Sequence, residues 1–190
     1  MDIDPSQLAS SHAVDFLTSK IRTIVGFPKE GIQFKDITTL VADAQAFHIC
    51  LDLMAEPFIG HDIQAVAAME ARGFIFGGAL AARLNTGFVP VRKPGKLPAE
   101  VDEIAYQLEY GENRLQIHKG ALRSGARVLI VDDLLATGGT ALATASLVRG
   151  QGGVVAGFVF AIELDFLEAR VKLAEDVGAD VPVHSLVHVK

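Results

Sequence analysis

The segment Val128-Leu129-Ile130-Val131-Asp132-Asp133-Leu134-Leu135-Ala136-Thr137-Gly138-Gly139-Thr140 carries the residue types best suited to chemistry in this 190-residue chain. Its four leading apolar residues predict a buried strand, and two adjacent carboxylates follow where that strand should end. A loop of small residues, Ala136 to Thr140, then leads into a helical stretch opening at Ala141. The first N–H groups of a helix have no partner inside it, and its dipole favours negative charge, so this order of elements makes an anion site. Gly138 and Gly139 let the backbone approach a phosphate closely, and Thr137 and Thr140 add hydroxyl donors. Asp132 and Asp133 cannot bind phosphate; they suit sugar hydroxyls or a cation. The chemistry implied is a phosphate held beside a ribose. No Gly-Lys-Ser/Thr follows, which excludes a Walker A loop, and no Gly-x-Gly-x-x-Gly occurs, which excludes a dinucleotide fingerprint.

Two other loops offer positive charge. Glu70-Ala71-Arg72-Gly73-Phe74 follows the apolar run from Ile63 to Met69 and opens a helix. Alone, it reads as an exposed arginine beside a packing glycine. On the same sheet edge as the 132–140 loop, it reads as a second anion contact. Arg92-Lys93-Pro94-Gly95-Lys96-Leu97-Pro98 gathers three cations on an acidic protein, and its prolines and glycine predict a lid rather than a solvated charge run.

The elements that must position these loops follow from periodicity. Asp4-Pro5 starts a first helix, with Val14, Leu17, Ile21 and Ile24 at helical spacing. Gln33 to Thr38 is short and extended, and Asp43 caps a second helix bearing Phe47, Leu51 and Met54. Ile63–Met69 and Phe88–Val91 read as strands around a helix over Phe74–Leu84. Arg92 to Glu103 reads as a long mobile loop, and 105–110 and 115–118 alternate like half-exposed strands. Strand 128–131 and its helix come next, then a strand over 154–162, a helix over 165–176 and a last strand over 181–189. Repeated strand–helix units predict an α/β fold with a central, mostly parallel sheet flanked by helices. Ligands of such sheets bind beyond the carboxyl ends of the strands, where all three loops fall. The length fits one domain over 1–190.

Totals narrow the function classes. Net charge is −6, which argues against a nucleic-acid partner. The one cysteine, Cys50, excludes an internal disulfide and lies among apolar residues. No apolar run is long enough to span a membrane, and the acidic start lacks a basic n-region, so the expected location is cytoplasmic. The six histidines show no metal-ligand spacing.

The 128–140 segment resembles the phosphoribosyl-pyrophosphate loop of type I phosphoribosyltransferases. Phe34-Lys35-Asp36-Ile37, Glu70 to Gly77, Val91 to Pro98 and Leu108-Glu109-Tyr110-Gly111 resemble the adenine branch of that family, in its order, from about residue 25 to 165. The resemblance implies the type I phosphoribosyltransferase fold with a small N-terminal hood, from roughly 1–40 and the C-terminal end, and a mobile lid. It implies transfer of a 5-phosphoribosyl group from phosphoribosyl pyrophosphate to adenine, giving AMP and pyrophosphate. Ala136, Thr137, Gly138, Gly139 and Thr140 would hold the 5′-phosphate. Asp132 and Asp133 would contact the ribose hydroxyls and stabilise charge near C1′. Arg72, Arg92, Lys93 and Lys96 would hold pyrophosphate, and the closed lid would exclude water. Glu109 would be the acid/base group at the purine, Tyr110 would hold the lid, and Phe34 and Leu164 would sandwich the base near Lys35. Mg²⁺ would sit on substrate oxygens and water rather than on a protein cage. The resemblance also implies a homodimer and a non-proline cis peptide between Glu70 and Arg72. It departs at Lys35, where the family often carries arginine; lysine has no planar face to stack on a purine.

Two alternatives compete. One is a phosphoribosyltransferase for xanthine, guanine, hypoxanthine or orotate, against which the 92–98 loop and Glu109 argue. The other is a regulatory module that senses the phosphoribosyl donor without chemistry. Such modules usually add a DNA-binding segment, and this chain has no basic helix-turn-helix pattern.

Overall fold

The computed structural model describes residues 5–107 and 112–190, in two units, Met1–Leu53 and Met54–Lys190. In the first, α1 (Pro5–Ser19) leads into an antiparallel hairpin of β1 (Arg22–Val25) and β2 (Gln33–Asp36). The Asp36 carboxylate then organises the chain. It accepts the Thr38 hydroxyl at 2.6 Å, the Thr38 N–H at 3.0 Å and the Arg22 guanidinium, where α2 (Thr38–Ala42) opens. The Thr38 hydroxyl first, then Arg22, hold that carboxyl down at about 2. Asp43 caps α3 (Ala44–Ala55), accepting the N–H groups of Gln45 and Ala46 at 3.1 and 3.0 Å, as its type and place predict. Cys50 is buried, and burial pushes its thiol up to about 12, which makes it an inert core residue.

The second unit carries a five-stranded, all-parallel sheet. Its strands are β3 (Ala65–Met69), β4 (Gly87–Val91), β7 (Arg127–Leu135), β8 (Val154–Leu164) and β9 (Val183–Val189), in the order β4-β3-β7-β8-β9. Between β4 and β7 the chain makes an antiparallel hairpin of β5 (Val101–Gln107) and β6 (Glu112–His118). All five residues of β3 are buried, as a strand covered on both faces requires. Ala65, Ala67 and Met69 join one core with Val128, Ile130 and the apolar residues of α5 (Gly139–Gly150). Ala68 points the other way, towards α4 (Gly73–Arg83), where a Cβ on Gly77 would lie 2.5 Å from the Ala68 methyl. The two helices therefore lie on opposite faces. The chain leaves β3 for one face and β7 for the other, and β3 and β7 are neighbours. That switch point opens a crevice at their carboxyl ends. A last helix, α6 (Ala169–Val177), joins β8 to β9.

The elements follow the sequence reading with three differences. The first helix ends at Ser19, and Ile24 lies in β1 rather than on that helix. Strand 128–131 does not end before the acids. Pairing with β8 continues through Asp132↔Phe160 to Leu135↔Glu163, so both acids lie inside β7. Val154–Leu164 is long enough to keep offering partners, and backbone pairing overrides the poor strand propensity of aspartate. The long loop after β4 is also shorter than expected, because β5 begins at Val101.

Candidate active site

The loop after β7 has the form of an anion cradle. Gly138 sits at the helix boundary with φ +83, a conformation that favours glycine, and no side chain caps α5 there. First-turn N–H groups of α5 are left to meet a ligand. A cavity of about 70 Å³ lies against this loop, lined by Ala136 to Ala141 together with Asp132 and Met69. The Tyr106 hydroxyl stands 3.4 Å from the Thr140 hydroxyl. Sequence reasoning missed Tyr106. Its signal was the alternation in β5, which puts Ile104 and Tyr106 on the side that packs against the core.

The acids are held close and unequally. Asp133 is buried and paired with Arg72, Nε to Oδ2 at 2.6 Å. Asp132 accepts the Asp133 N–H at 2.9 Å. Burial, and then the charge of Asp133, raise the Asp132 carboxyl well above the usual range. Arg72 gives this acid pair a cationic neighbour. Gly73, at the start of α4, makes this packing possible. A Cβ there would lie 2.6 Å from Asp132 Oδ1 and 3.3 Å from the Val131 carbonyl oxygen.

The loops after β3 and β4 are tied together by Glu70. Its carboxylate accepts Arg92 Nε at 2.8 Å and the Lys93 N–H at 2.9 Å. Burial would raise the Glu70 carboxyl, but the Lys93 N–H and Arg92 outweigh it and hold it below the usual range. Arg92 further donates to the Lys96 carbonyl at 3.0 Å and lies over the Phe74 ring, 5.8 Å from its centre. The Arg92 guanidinium thus braces the loop from within. The Glu70–Ala71 bond is cis, at the place the resemblance implies.

The sheet's carboxyl edge thus presents Arg72, Arg92, Lys93, Lys96 and Ala136 to Thr140 from the loops after neighbouring strands, and Asp132 and Asp133 from β7 itself. Leu164 closes β8 on the same edge. Phe34 and Lys35 lie on β2 of the first unit, with Phe34 edge-on to Phe27 and Lys35 Nζ 3.0 Å from the Thr23 hydroxyl. Glu109 and Tyr110 lie outside the described residues. A larger depression, about 730 Å³, opens at the opposite, amino-terminal edge, between 63–65, 85–87 and 121–126. It has neither a carboxylate nor a helix N-terminus in its lining, so the chemistry is assigned to the carboxyl edge. Among the described residues, Glu163, Asp165 and His188 bring ligand atoms within 4.8 Å of one another. There Glu163 already takes Arg170 Nε on both oxygens at 2.8 and 2.9 Å, and His188 Nδ1 meets Asp165 at 2.8 Å. No helix among the described residues is long and apolar enough to cross a membrane.

Comparison with known proteins adds the family. The phosphoribosyl transferase domain matches residues 48–174. Adenine phosphoribosyltransferase of Sorangium cellulosum is 61% identical over 181 residues, covering 95% of this chain and 90% of that protein. The crystal structure of adenine phosphoribosyltransferase from Thermoanaerobacter pseudethanolicus superposes with a TM-score of 0.87 at 49% identity, over 93% of this chain and 99% of that one. The Saccharomyces cerevisiae enzyme, in complex with an imino-altritol bisphosphate and adenine, gives 0.84 at 37% identity over 93% and 99%.

Proposed function

Because the chain belongs to the adenine phosphoribosyltransferase family, we infer that it transfers the 5-phosphoribosyl group of phosphoribosyl pyrophosphate to adenine. The products are AMP and pyrophosphate, a step of purine salvage. The observation that carries this reading is one crevice that holds an uncapped helix N-terminus and Asp132, with Asp133 next to it in β7. Phosphate and ribose of one substrate need those two features side by side.

The residues divide the reaction between them. Backbone N–H groups of Ala136 to Thr140 hold the 5′-phosphate. Asp132 and Asp133 accept the ribose hydroxyls. As the bond from C1′ to pyrophosphate breaks, positive charge develops on the sugar, and a carboxylate beside it gains stability. Arg72 now holds Asp133. An arriving pyrophosphate offers it a more highly charged partner, and the exchange frees Asp133 for ribose. Lys93 and Lys96 complete the charge balance at pyrophosphate, with Arg92 shaping their loop. Glu109 takes the proton from adenine as N9 attacks C1′, and Tyr110 holds the lid. Phe34, Lys35 and Leu164 serve the base; Phe34→Ala and Leu164→Ala are expected to raise KM for adenine and not for phosphoribosyl pyrophosphate.

Magnesium fits this donor set as a cation carried by substrate. The three-residue grouping at Glu163 is already occupied by Arg170, and among the described residues Asp132 and Asp133 make no dense carboxylate cage. Held on substrate oxygens and water, Mg²⁺ would supply charge neutralisation at the leaving group. A homodimer is proposed through the α4 and β4 side, where Ile75 and Phe88 are exposed; sedimentation at several concentrations tests it. The cytoplasm is the proposed location.

The test of the function is direct. Purified protein is incubated with Mg²⁺, phosphoribosyl pyrophosphate and each free base in turn, and pyrophosphate release is followed. Release with adenine alone supports the reading. Release with another base moves the substrate, and donor binding without release under any base favours a sensor.

A further inference from the structure

The 92–98 loop is fastened at its apex as well as at its root. Gly95 turns with φ +76, and its N–H donates to Gln116 Oε1 at 3.2 Å. An amide side chain can face either way; here its other end decides. Gln116 Nε2 donates to Glu103 Oε2 at 2.6 Å, and an ionised carboxylate can only accept. Arg114 aligns Glu103 in turn, Nη1 to Oε1 at 3.0 Å. Glu103 and Gln116 face each other across the β5–β6 hairpin. The Gln116 backbone also exchanges both hydrogen bonds with Arg92, at 2.7 and 2.9 Å. One residue of β6 therefore grips the loop twice, by main chain at Arg92 and by side chain at Gly95. Lys93 lies between the two grips, and Lys96 follows the second.

We propose that Gln116 is a positioning residue for the pyrophosphate end of the reaction, its amide oriented by Glu103 to fix the Gly95 turn that presents Lys93 and Lys96. The inference rests on the phosphoribosyltransferase reading. Gln116 itself touches no reacting atom. Its effect reaches the substrate through the turn whose Gly95 N–H it accepts, beside the brace that Arg92 makes to the Lys96 carbonyl. Glu103 contributes only through Gln116, so the two residues form a chain.

The experiment follows both directions of the reaction in wild type, Gln116→Leu, Glu103→Gln and the double variant. Gln116→Leu is expected to raise KM for pyrophosphate and for phosphoribosyl pyrophosphate about three- to tenfold, the range of a lost hydrogen bond, while KM for AMP and for adenine stays within about twofold. Glu103→Gln raises the same two constants by less, and the double variant is no worse than Gln116→Leu because the residues act in series. A general loss of structure would move the AMP and pyrophosphate constants together, and that result overturns the proposal. Unchanged constants in Gln116→Leu, or additive effects in the double variant, overturn it as well. If Gln116→Leu fails to fold, Glu103→Gln decides alone: a selective rise for pyrophosphate supports the proposal, and no rise overturns it. An inactive wild type would instead remove the functional reading beneath it.

Discussion

A methyl group at position 73 tests how the acids are held. Gly73 starts α4, and a Cβ there would lie 2.6 Å from Asp132 Oδ1, 3.3 Å from the Val131 carbonyl oxygen and 3.4 Å from Asp132 Cα. The first distance is about 1 Å short of a comfortable non-bonded separation. The two others belong to the β7 backbone, which cannot yield without disturbing the sheet. Relief therefore falls on the Asp132 carboxylate, which must rotate off its hydrogen bond to the Asp133 N–H, or on the helix start. Overpacking of this kind costs about 1–3 kcal/mol, so Tm falls by roughly 2–12 °C for a chain of this size. A displacement near 1 Å at a reacting centre costs about 100-fold in rate. Gly73→Ala should thus remain folded and lose about 100-fold in kcat for AMP formation. Gly78→Ala is the control. It lies on the same helix with nothing within 4 Å of its Cβ position, and should keep its rate while gaining about 0.5–1 kcal/mol. Thermal unfolding and steady-state rates on both variants decide the matter. A Gly73→Ala rate within about threefold of wild type would refute the argument, because it would mean Asp132 need not stand where it does.

Three further outcomes follow from the electrostatics. Asp132→Asn should lower kcat about 100-fold without loss of stability at neutral pH. The raised carboxyl makes the folded state keep a proton that the unfolded chain loses above about 3.8, so wild-type stability falls as pH rises from there, and asparagine removes that slope. Arg72→Gln should destabilise by about 1–3 kcal/mol, because the buried Asp133 loses its partner, and should raise KM for phosphoribosyl pyrophosphate. Asp36→Asn should flatten the acid limb of stability: the depressed carboxyl contributes above about 3.8 and loses that contribution as pH falls towards 2, so Tm measured from pH 5 to 2 should change less in the variant.

The phosphate loop and the sheet around it were legible in the sequence because apolar runs, helix starts and small residues are local signals. Asp132 and Asp133 were found by type, but their place inside β7 was not, since it depends on how far β8 offers partners. Arg92 shows the same limit. Its charge was visible, but its use in bracing the loop against Glu70 depends on two strands meeting at one edge. Tyr106 and Gln116 were unmarked for a related reason. Their hydroxyl and amide matter only because the β5–β6 hairpin sets them beside Thr140 and Gly95, at separations of 34 and 21 residues. Gly73 was legible as a packing glycine, but its packing partner, Asp132, belongs to a distant strand and was not.

The central claim is that one crevice joins ribose and adenine while keeping water out. The most direct measurement supplies adenine, phosphoribosyl pyrophosphate and Mg²⁺ to the purified protein and counts AMP, pyrophosphate and ribose 5-phosphate together. The account predicts AMP and pyrophosphate in equal amounts with no ribose 5-phosphate. Pyrophosphate matched by ribose 5-phosphate, or no AMP at all, would contradict it.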